Sequence, residues 1–107
     1  MDLETVIEEL YNIPDLILIE EEKYYNAKNY LDELKLELHF RKCDLYLQGF
    51  EGRNQEERDA LKFPHLKELL AEITMAECEL NSQSIRYNYL KRKMESLSVI
   101  AEHFKDK

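Results

Sequence analysis

The feature that most constrains this chain is a run of heptads in its C-terminal half. The a positions hold Leu66, Ile73, Leu80, Tyr87, Met94 and Ala101, and the d positions hold Leu69, Ala76, Gln83, Leu90, Leu97 and Phe104. Eleven of these twelve are apolar, which predicts a helix with a coiled-coil seam over 64–105. The first half repeats the pattern less cleanly over 14–48. Ile17, Tyr24, Ala27, Leu31, Leu34, Leu38 and Leu45 fall on a and d, while Glu20, Arg41 and Gln48 interrupt the seam. Two long helices joined by a short connection run antiparallel. The expected fold is therefore all-α, a single helical domain built on a long coiled-coil-like hairpin.

The connection is expected at 49–63. Both glycines lie there, at Gly49 and Gly52, with Phe50 between them. Gly49 suits a helix end that needs positive φ. Arg53 leads into Asn54, which suits the next N-cap, with Glu57 three residues on as in a capping box. A short helix over 55–62 is expected to end at Phe63-Pro64. A second short helix is expected over 1–13. There Asp2 caps, and Leu3, Val6, Ile7, Leu10 and Tyr11 follow the spacing of one face. Asn12-Ile13-Pro14 is expected to separate it from the long helix, because proline lacks the amide donor.

Further apolar residues lie off the seam: Leu16, Tyr30, Leu36, Phe40 and Leu47 in the first half, and Leu70, Ile85, Tyr89, Val99 and Ile100 in the second. This second stripe needs cover. The N-terminal helix is expected to supply some, and a homodimer forming a four-helix arrangement to supply more.

Charge is distributed unevenly. Residues 1–22 hold eight acids and no Lys or Arg, whereas residues 23–107 hold 15 of each sign. The net charge of −8 thus resides in the first fifth of the chain. An amphipathic, acidic helix can dock in a partner's groove and be steered to a basic rim. Leu3, Val6, Ile7, Glu8, Glu9, Leu10 and Tyr11 are therefore the expected protein-binding residues. The same helix could instead fold back on its own hairpin.

No chemistry stands out. Glu-x-x-His and His-Glu-x-x-His pairs are absent, and His39 with Cys43 makes only half of a metal site. The serines sit within the last helix rather than on a strained turn, and there is no phosphate-binding glycine loop. No catalytic residue, metal or cofactor is expected. Cys43 and Cys78 miss each other by about 13 Å at the helical rise, so two reduced thiols are expected. A basic and aromatic group, Arg86, Tyr89, Arg92 and Lys93, is the alternative site, for nucleic acid, though net negative charge disfavours it. The longest apolar run, Leu16-Ile17-Leu18-Ile19, falls far short of the about 20 residues of a membrane span, and the first residues are acidic where a secretory signal is basic. A cytoplasmic location is the expectation.

The loop carries a resemblance. Tyr46-Leu47-Gln48-Gly49-Phe50-Glu51-Gly52-Arg53-Asn54-Gln55-Glu56-Glu57-Arg58 resembles a pattern in small coiled-coil hairpin proteins of bacteriophages and prophages. In those, a long helix ends in a Leu-x-Gly turn, an Asn cap and Glu-Arg pair follow, and a second helix runs on. The resemblance implies an interaction protein and nothing finer: a non-enzymatic factor that binds a host or phage protein, such as a component of replication, recombination or defence. The size and hairpin also resemble the small secreted hairpins of type VII secretion, but this chain has no Trp for their Trp-x-Gly turn. A purely structural coiled-coil subunit is the remaining alternative.

Overall fold

The computed structural model describes residues 2–49 and 53–105. Two helices account for nearly all of them: α1, Leu3–Gln48, and α2, Gln55–Lys105. There is no strand among the described residues. The molecule is an all-α helical hairpin.

The helix ends follow from single residues. At the start of α1 the Thr5 amide donates to Asp2 Oδ1 at 2.8 Å. That hydrogen bond holds the Asp2 carboxyl below its usual range, because it favours the ionised form. Gly49 ends α1 with φ of 73°, a left-handed conformation that glycine adopts without a Cβ clash. At the start of α2 the Glu57 amide donates to Asn54 Oδ1 at 2.8 Å. The Glu57 carboxylate accepts from the Arg53 amide at 3.2 Å, one residue earlier than in a standard capping box. His103 and Lys105 lie in the last turn of α2, where the helix dipole favours positive charge. Phe50 and Gly52 lie outside the described residues.

Both expected interruptions are absent. Pro14 lies inside α1 and Pro64 inside α2, so neither 1–13 nor 55–62 is a separate helix. An interior proline costs about 3 kcal/mol. In α1, Val6 and Ile13 are buried on one side of that cost, and each such side chain is worth about 1.5–3 kcal/mol. The seam also keeps its phase across Pro14: Val6, Leu10, Ile13 and Ile17 continue the alternating spacing of four and three. Continuity of burial therefore outweighs the local break. Ahead of Pro64 the seam is polar, and support comes instead from the Asn54 cap and a 2.8 Å bond from Gln55 Nε2 to Asp59 Oδ1.

The described chain forms two compact units, Met1–Asn26 with Leu80–Lys107, and Ala27–Glu79. In the first, Val6, Ile13 and Leu97 form a buried cluster, with Leu10, Ile17, Leu90 and Met94 packed against it. Tyr24 meets Tyr87 at 5.8 Å between ring centroids. In the second, the buried residues are Leu31, Leu34, Leu45, Leu66, Leu69, Ile73 and Ala76. Every one of the twelve a and d positions assigned to α2 is buried or half-buried, Gln83 included. On α1, Arg41 and Gln48 are exposed, and Arg41 turns to Glu37 at 2.7 Å instead.

The off-seam stripe stays open. Leu16, Tyr30, Leu36, Phe40 and Leu47 on α1 are exposed, as are Ile85, Tyr89 and Val99 on α2, while Leu70 and Ile100 are half-buried. Of these, the cluster that the N-terminal segment helps to build reaches only Ile100, because that segment is the first part of α1 and packs along the seam. Cys43 and Cys78 are exposed free thiols.

Candidate protein-binding surface

The candidate surface lies on α1 in the first unit. The acidic segment does not present one undivided face. Val6, 0% exposed, and half-buried Leu10 point into the hairpin's own core. They are corrected from partner-facing to structural residues, because they occupy d and a positions of the continuous seam. Glu9 is drawn partly inward as well, with its Oε1 4.0 Å from Lys93 Nζ. Leu3, Ile7, Glu8 and Tyr11 remain exposed, Tyr11 most of all at 83%.

The exposed half continues past Pro14. Ile7, Tyr11, Leu18 and Tyr25 are spaced by four, seven and seven residues, which keeps them on one stripe of α1. All four are exposed. An acid stands three residues before each of them: Glu4, Glu8, Asp15 and Glu22, all exposed. Residues three apart are neighbours on a helix surface, so a row of carboxylates runs beside a row of large apolar side chains. Toward Tyr25 the surface dips into a shallow depression lined by Leu18, Glu21, Glu22, Tyr25 and Asn26. The Tyr25 ring is braced edge-on by Tyr24 at 5.2 Å. Leu18 and Tyr25 are not among the residues expected from sequence. The signal for them is the heptad step from Tyr11, hidden by the expected break at Pro14.

The loop residues have capping roles where they are described: Gly49 ends α1, and Arg53 and Asn54 start α2. The alternative, basic group is partly engaged. Arg86, Tyr89 and Arg92 are exposed on α2, but Lys93 approaches Glu9, and the neighbouring Lys91 Nζ sits 4.6 Å from the centre of the Tyr87 ring. Among the described residues no group of three or more His, Cys, Asp or Glu side chains is placed to hold a metal ion. The 3.8 Å approach of Cys43 Sγ to His39 Nε2 is a pair only. No helix among the described residues is long and apolar enough to cross a membrane.

Searches of family models, curated proteins and solved structures found no match to this chain.

Proposed function

We propose that this chain is a non-enzymatic protein-binding factor, and that its binding surface is the paired row on α1, Ile7, Tyr11, Leu18 and Tyr25 beside Glu4, Glu8, Asp15 and Glu22. The supporting observation is that these large apolar residues are exposed although the seam beneath them is already filled. Burying such a stripe on a partner gains apolar area, and the acid row selects a groove with a basic rim. The loop resemblance to phage hairpin proteins suggests a host or phage protein as the partner, such as a component of replication, recombination or defence.

The test is surface substitution. Deleting residues 1–13 would remove Val6 and Ile13 from the core, and so would mix folding with binding. A Tyr11→Ser, Leu18→Ser double variant changes only exposed side chains. A nuclease-treated pull-down from the natural host, read by mass spectrometry, is expected to capture a specific protein with the unaltered chain. The double variant is expected to lose that protein while keeping its helical circular dichroism. Equal capture by both would reject the stripe as the binding surface. Capture only of nucleic acid, in a gel shift that fades steeply as salt rises, would favour the Arg86–Arg92 group instead.

A further inference from the structure

A different edge of the first unit is also unfilled. The Glu9–Lys93 approach crosses from α1 to α2 on one side of the seam. Leu16 lies one heptad after Glu9, and Ile100 one heptad after Lys93, so both border that same edge. Leu16, Ile19, Tyr89 and Ile85 extend it outward and are all about half exposed or more. The edge thus has an apolar strip on each helix.

The two helices carry opposite net charge over this unit as a whole. Over residues 2–26, α1 and its cap hold eight acids against one base, Lys23. Over residues 80–105, α2 holds five bases, Arg86, Lys91, Arg92, Lys93 and Lys105, against two acids. Asp15 adjoins Leu16 on the outermost face of α1, and Arg92 lies on the outermost face of α2 one helical turn from Tyr89.

We infer that this edge is covered by a second copy of the chain, with the acidic α1 of each copy lying on the basic α2 of the other. A two-fold interface brings one surface patch against itself in reversed order. Applied here, it seats each acidic helix on a basic one and each apolar strip on another. The other pairing, α1 on α1, would bring sixteen acids together against two bases and is opposed by like-charge repulsion. The proposal does not rest on the apolar partner-binding stripe, which begins at Ile7 on the opposite edge of the seam; Asp15, on the outermost face of α1 between the two edges, borders both surfaces.

Sedimentation equilibrium of the full chain tests it. The expected mass at about 100 µM is twice the 12.9 kDa of one chain. Arg92→Glu and Asp15→Arg are each expected to weaken dimerisation about tenfold or more, by placing like charges opposite one another. The two together in one chain are expected to restore it. Both positions face away from the seam of their own hairpin, so rescue can arise only between copies. Tyr89→Ser, which removes apolar area and no charge, is expected to weaken the dimer too. A monomer at that concentration overturns the proposal. So does a dimer that ignores the single charge reversals, or one that the double swap fails to restore. Arg92→Glu lies outside the α1 stripe, so loss of the dimer with partner capture intact separates this inference from the proposed function.

Discussion

Val6 and Tyr11 are five residues apart on the same helix and meet opposite surroundings. Val6 is sealed against Leu97 and Ile13, while Tyr11 projects into solvent. Val6→Ala should therefore cost about 2 kcal/mol, from the lost methyls and the cavity left beside Leu97. Tyr11→Ser should stay within about 0.5 kcal/mol, as exposed substitutions do. Urea unfolding of the two variants checks the pair. A large loss at Tyr11 would mean that its ring is packed and not available to a partner. The contrast also shows why the acidic segment could be read only in part. Leu3, Val6, Ile7, Leu10 and Tyr11 fall on one broad arc by spacing, but an arc that wide can be shared between a core and a partner. Composition alone does not divide it. The a and d phase does, once it is carried from Ile17 back to Val6.

At the scale of the element, the helices obey the seam more closely than their local breakers. Pro14 removes the amide that would donate to the Leu10 carbonyl, and still α1 continues. If residues 3–48 form one helix, Pro14→Ala restores that bond and should stabilise the fold. The interior proline penalty is about 3 kcal/mol, reduced by the greater freedom alanine gives the unfolded chain, so a gain of about 2 kcal/mol is expected. If Pro14 instead began a new helix, where it is favoured, the substitution would be neutral or harmful. Chemical denaturation with the slope held constant distinguishes the two. The same reasoning explains what was legible. The α2 seam was readable residue by residue, because a coiled-coil pattern is a sum over many positions. The expected breaks at Pro14 and Pro64 rested on one residue each; burial over several turns overrules that preference at Pro14, and the Asn54 cap with the Gln55–Asp59 bond supports the helix ahead of Pro64. Missing the continuity of α1 also hid Leu18 and Tyr25, and with them half of the candidate surface.

For the whole molecule, charge is the property that ties surface to encounter. The net charge of −8 is concentrated in residues 1–22, and four of those acids form the row beside the exposed stripe. Under the proposed function, such a field would act at long range on the rate of meeting a basic partner, while the apolar row would govern how long the complex lasts. The two contributions can be separated. Neutralising the row as Glu4→Gln, Glu8→Gln and Glu22→Gln removes three charges and leaves Ile7, Tyr11, Leu18 and Tyr25 in place. With the captured partner immobilised, the association rate should fall about tenfold at low salt and the dissociation rate should change little. Raising the salt should bring the unaltered chain toward the variant, because exposed charges are screened beyond about 8–10 Å at physiological ionic strength. Tyr11→Ser should do the reverse, speeding dissociation and leaving the salt dependence of association intact. If the neutralised chain instead dissociates faster at every salt concentration, the carboxylates are making short-range contacts in the complex. The acid row would then be part of the interface itself and not a guide to it.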